Sequence, residues 1–169
     1  MFKKLFVAAF VAIVSFTSYA QTAPKFGTVD LQAVMNDMPE TSVYEKELSA
    51  KIEAADKELQ KLGEEYQQKL QSYVEKRDSL DEITRQMREE ELNGIQNRAQ
   101  NYQQMNANQI QQFQQQQISL IREKLFKAVR AVGDREKFTA IFPASEEMYF
   151  SPTETKDVTA MVKAQLGIK

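Results

Sequence analysis

The chain has 169 residues, a formal net charge of −2 from 22 basic and 24 acidic side chains, and neither Cys nor His nor Trp. Without Cys there is no disulfide, thiol nucleophile or thiolate metal site, and without His the commonest general base and a main zinc ligand are gone. The five glycines build no phosphate-binding loop and the charge is no signature of nucleic-acid binding, so the composition argues against most enzymes, against a cofactor and against a nucleic-acid partner.

Lys3 and Lys4 precede an apolar run from Leu5 to Phe16, and Ser18-Tyr19-Ala20 is a small-x-small cleavage site. Residues 1–20 read as a signal peptide, with the mature chain expected to start at Gln21 and to be exported. The apolar run is too short for a membrane span, and Ala20 is not followed by the Cys of a lipid anchor. Removing Lys3 and Lys4 leaves 20 basic against 24 acidic residues, about −4 on the formal count.

Lys25 to Asp30 predicts a strand, with Phe26 and Thr28 on one face and Gly27 and Val29 on the other. Leu31, Val34 and Met35 then have helical spacing, and Asp30 is a plausible N-cap. Asn36-Asp37-Met38-Pro39 ends this short helix. Thr41 or Ser42 is expected to cap the next, Ser42 with Glu45 as a capping box.

Residues 41–131 form one long helical run. Its first seam is Leu48, Ile52, Ala55, Leu59, Leu62, Tyr66, alternating steps of four and three as in a coiled coil. The seam stutters through Leu70 and Tyr73 and breaks at Asp78-Ser79-Leu80-Asp81-Glu82. Residues 78–82 therefore predict the tip of a helical hairpin, with Asp81 capping the return helix. The return stripe runs from Ile83 and Met87 through Ile95, Tyr102, Met105, Ile110 and Phe113 to Val129. Carboxylates along the arm, such as Glu47 before Lys51 and Glu53 before Lys57, sit at the spacing of a solvated helix face, not a catalytic pair. From Ala99 to Ile121 there is no charge, and ten of these 23 positions are Gln. Gln favours helix, and the stretch reads either as low-complexity drift on an exposed face or as a neutral surface whose Met and aromatic side chains suit contact with varied partners.

Gly133 predicts the end of the return helix. Phe138–Phe142 and Glu147–Phe150 read as two strands joined by a hairpin loop at Pro143–Glu146, and Thr155–Leu166 as a terminal amphipathic helix. Residues 21–40 and 132–169 would thus form a body of three short strands and two short helices, with the arm of residues 41–131 inserted between them. Three short strands cannot close a sheet alone. The expected fold is mainly α with a small β component, a long antiparallel helical hairpin projecting from a small β-core completed by oligomerisation. The oligomer core would be Val29, Ile141, Phe142, Met148 and Phe150.

This order resembles the Skp (OmpH) family of periplasmic chaperones over essentially the whole chain. The resemblance rests on the signal peptide, Phe26-Gly27-Thr28-Val29-Asp30, the charged hairpin, Phe138-Thr139-Ala140-Ile141-Phe142, Met148-Tyr149-Phe150-Ser151-Pro152 and the closing Asp157-Val158-Thr159. It implies a periplasmic homotrimer whose three hairpins enclose a cavity and hold unfolded outer-membrane proteins without ATP. The familiar member is strongly basic. This chain is mildly acidic, so contact with a membrane or lipopolysaccharide is not carried over. The arm residues expected to touch a client are Met87, Ile95, Tyr102, Met105, Ile110 and Phe113, the alternative being that they only zip the two helices of one hairpin together. The rival expectation is a coiled-coil spacer or adaptor of the cell envelope with one fixed partner.

Overall fold

The computed structural model describes residues 23–168, so the expected signal peptide and cleavage site lie outside the described residues. The elements are β1 (Phe26–Val29), α1 (Leu31–Asp37), α2 (Pro39–Lys76), a 3-10 turn (Arg77–Ser79), α3 (Glu82–Glu136), β2 (Ala140–Pro143), β3 (Thr155–Asp157) and α4 (Thr159–Gln165). The architecture is mainly α, with two long helices and a small three-stranded sheet. At a rise of about 1.5 Å per residue, the 38 residues of α2 span roughly 57 Å and the 55 of α3 roughly 82 Å.

β1 lies at the centre of the sheet, and both neighbours run parallel to it. Phe26 pairs with Ala140 on one side and with Thr155 on the other. Parallel pairing forbids a tight turn and demands a crossover. The whole helical arm is that crossover between β1 and β2, which is how ninety-odd residues can be inserted without disturbing the body. Gly27 is buried in β1, and a Cβ there would stand 3.2 Å from Phe138 and 3.3 Å from Ile141. The strand can approach the Phe138 ring only because residue 27 has no side chain.

Local capping fixes the joints. Asp30 Oδ1 accepts the Ala33 N–H at 2.8 Å and so starts α1 as expected. The Asp30 N–H donates to Thr159 Oγ1 at 3.0 Å, and Asp157 Oδ1 accepts both the N–H and the hydroxyl of Thr159. Asp157-Val158-Thr159 thereby ties the last helix to the end of the first strand, and Val158 donates its N–H to Thr28 O at 2.8 Å. One core joins these parts: Val29, Val34, Met38, Val158 and Val162 pack on the stripe Ile121, Leu125, Ala128, Val132 of α3. The stripe repeats every three to four residues, as one helix face requires.

Five sequence expectations are corrected. The long helix starts at Pro39, not at a Thr41 or Ser42 cap, because Pro is pre-set for the first helical position and its missing N–H costs nothing there. α3 does not stop at Gly133 but runs to Glu136. It ends on Lys137 in the left-handed region (φ 56°), with Phe138 N–H returning to Gly133 O at 3.0 Å. The second strand is Ala140–Pro143, since Phe138 turns inward to pack on the core. Its Pro is tolerated because the strand is an edge. Glu147–Phe150 is no strand and there is no β-hairpin. Thr155–Asp157, expected as the start of the last helix, pairs with β1 instead, and α4 begins at Thr159.

The residues expected to form the oligomer core divide. Val29 is 2% exposed within its own chain and is not left for a neighbour. Ile141 is half-buried against that core. Phe142 meets Phe150 and Phe26 with tilted rings, each at 6.2 Å, and both Phe142 and Met148 stay exposed.

Candidate interaction surface

The arm carries the residues of interest, and its two helices are joined differently along their length. Near the body the seam is apolar. Towards the tip it is mainly polar. Around a cavity of about 270 Å³ lined by Ser72, Lys76, Leu80 and Leu92, Lys69 pairs with Glu91 across the hairpin. Arg88 Nη1 donates to the same Glu91 at 3.0 Å. Tyr73 donates its hydroxyl to Glu89, Gln96 Nε2 donates to Tyr66 at 3.0 Å, and Arg98 to Glu65 at 2.9 Å. The Lys69 ammonium, and after it Arg88, hold the Glu91 carboxyl below the usual carboxylate range. Glu89 beside the Tyr73 phenol pushes that phenol up. Only Leu92 and Ile95 of α3 are buried beneath this network. At the turn, Asp81 accepts from the Thr84 N–H at 2.9 Å and from its hydroxyl at 2.8 Å, capping α3 as its sequence predicts.

The middle of the arm is thinner. Between Ile95 and Ile121 no residue of α3 is buried, and Ala55 is the only buried residue of α2. Tyr44 stacks on Phe113 at 6.0 Å, with the Lys51 ammonium 4.9 Å from the Phe113 ring centre. A cavity of about 170 Å³ opens between Lys51, Ala54 and Ala55 on α2 and Tyr102, Asn106 and Ile110 on α3.

The six residues expected to touch a client are therefore not equivalent. Ile95 is 2% exposed, so its expected contact is corrected: it holds the two helices together. Tyr102, Ile110 and Phe113 are half-buried and face α2. Met87 and Met105 stand outside the seam at 64% and 52% exposure. Eighteen residues separate them, five turns at 3.6 residues per turn, so they share one line along α3. The structure adds exposed apolar residues that the seam reading passed over or counted as seam: Val74 and Ile83 beside the tip, and Ile52 on α2. Val74 lies off the heptad positions, and that was the available signal. Among the described residues no three His, Cys, Asp or Glu side chains gather as metal ligands would, and no helix is long and apolar enough to cross a membrane.

At the body, a groove of about 440 Å³ is lined by Val29, Leu31, Phe126, Val129, Ile141 and Pro143. Phe126 is exposed within it, Phe142 is exposed beside Phe26 and Phe150, and β2 and β3 each leave one edge unpaired.

The family of outer membrane proteins described as OmpH-like matches residues 25–166. A crystal structure of an OmpH-like outer membrane chaperone from Caulobacter crescentus CB15 is similar in fold, with a TM-score of 0.74 at 15% identity. That likeness covers 85% of this chain and 83% of the Caulobacter chain. No curated protein matches the sequence.

Proposed function

The chain belongs to the OmpH-like family, and from that premise we propose that it is an ATP-independent chaperone of the periplasm. It holds unfolded outer-membrane proteins and keeps them from aggregating before membrane assembly. The observation that carries the reading is the arm itself. Its seam uses only part of the apolar stripe, and Met87 and Met105 are left in line on the open side of α3. Thioether side chains adapt to many shapes at low cost, which suits a client without a fixed structure. A spacer with one fixed partner has no use for an unfilled seam.

The proposed assembly is a homotrimer joined through the body. Support comes from the two open sheet edges, the groove beside Phe126 and the exposed Phe142 and Met148. The arms of three copies would then project together around a shared space.

The test is aggregation of several unrelated urea-unfolded β-barrel proteins on dilution, followed by light scattering with and without the mature chain. The proposal expects each to stay in solution at a near-stoichiometric ratio. Suppression of none, or of a single partner, would turn the reading towards a spacer or adaptor.

A further inference from the structure

The uncharged stretch of α3 is built differently from the rest of the arm. On the rest of the arm, four of the six glutamine amides are occupied: Gln60, Gln71 and Gln86 each donate to the Glu four residues on, at 2.9, 3.1 and 3.1 Å, and Gln96 donates to Tyr66, while Gln67 and Gln68 make no such bond. Between Ala99 and Ile121 there is no carboxylate to receive such a bond. Among the described residues, none of the side-chain hydrogen bonds involves any of its ten glutamines or three asparagines. At about 100° per residue, Asn97, Gln100, Gln104, Asn108, Gln111 and Gln115 fall within one band of roughly 80°, on the side turned away from α2. All six are exposed. The band is about 27 Å long at 1.5 Å per residue. The nearest charges along the helix are Arg98 and Arg122, and the line of Met87 and Met105 runs beside it.

We propose that this amide band binds the backbone of the unfolded client. The inference rests on the holding function proposed above and names what that surface recognises. A primary amide offers a donor pair and an acceptor, the same groups as a peptide bond, and can meet either side of an extended chain. An unfolded polypeptide of any sequence presents peptide groups along its length. A charged face would select clients by charge and pair along its own helix, as Glu53 and Lys57 do. A neutral band does neither. It complements the one part of a client that carries no charge, while the adjacent methionines take apolar side chains.

The test uses the mature full-length chain and two dye-labelled, urea-unfolded β-barrel polypeptides of opposite net charge. Wild type is expected to bind both with similar affinity, changing less than about threefold between roughly 50 mM and 500 mM salt. Replacing Gln100, Gln104, Gln111 and Gln115 together by Met keeps length and helix propensity but removes the amides. The expected result is about tenfold weaker binding of both probes, with circular dichroism unchanged. A second variant, Q100E with Q104K and Q111E with Q115K, keeps net charge and solubility and fills the band with pairs along the helix. It is expected to weaken both probes to a similar degree. Equal or tighter binding by the Met variant would overturn the amide proposal and leave the holding function standing. Should the Met variant lose helicity, undiminished binding by the charged-pair variant overturns it in the same way. Steep salt dependence of wild type, with a preference for one probe, would also overturn it. If wild type holds neither probe, the function it rests on falls as well.

Discussion

Single residues divide between those that hold the fold and those that face outward. Leu125 is 1% exposed at the centre of the body core. Leu125→Ala should cost about 2–5 kcal/mol of stability, read from chemical denaturation. Gly27→Ala places a methyl group 3.2 Å from the packed Phe138 ring, over which the Lys25 ammonium also sits, 4.2 Å from the ring centre. It should lower stability by about 1–3 kcal/mol by overpacking. Met105→Gln removes an exposed side chain that supports nothing, so stability should stay within about 0.5 kcal/mol while client holding declines. At this scale the caps were readable in the sequence, because Asp30 and Asp81 act through bonds to residues three positions on. Thr155–Asp157 was not readable as a strand. Thr-Lys-Asp has no apolar alternation, and it becomes a strand through pairing with a segment more than 120 residues away. The burial of Ile95 was half readable: its stripe position marks it as apolar, but whether a stripe residue faces a helix or a client depends on the separation of the two helices.

At the scale of the element, the hairpin was legible from its period and its break, because a seam must change phase where the chain reverses. The polar character of its distal joint was hidden, since Lys69 and Glu91 or Tyr73 and Glu89 become neighbours only once the hairpin closes. The Glu91 carboxyl titrates below its ordinary value of 4.5, so its pairing stabilises the arm above that pH and is lost as pH falls through the lower folded value. Tyr73 has the opposite sense. Its phenol titrates above 10.0, and its bond to Glu89 is present below that pH and lost as pH rises past the folded value. Both groups lie near the surface, so salt weakens the network as well. Amide exchange corrected for intrinsic rates should therefore quicken at residues 66–98 on acidification from about pH 6 to about pH 3. The stripe from Ile121 to Val132 should keep its protection. Glu91→Gln should reproduce the distal effect at neutral pH, and equal protection of both ends at low pH would refute it.

For the whole molecule, the body and the arm are separable in principle because the arm is a crossover whose base closes on its own core. That core includes Ile121 and Leu125, so the arm can be cut only above them. Glu40 pairs with Lys124 and Glu65 with Arg98, which sets the register of the two helices and places residue 48 opposite about residue 116. Joining 48 to 116 through a short Gly-rich turn should give a folded body that still self-associates and no longer holds unfolded protein. The parallel sheet with β1 in its centre could not be foreseen, because strand order is set by where the ends of a long insertion meet. That the sheet would hold three short strands could be, and the proposed assembly of several copies is argued from their open edges. The most direct measurement of the central claim is the mass in solution of the mature chain with and without a urea-unfolded β-barrel protein. The account predicts a trimer alone and, on dilution of the client, a soluble complex of one trimer with the client. A folded monomer that leaves the client to aggregate would contradict it.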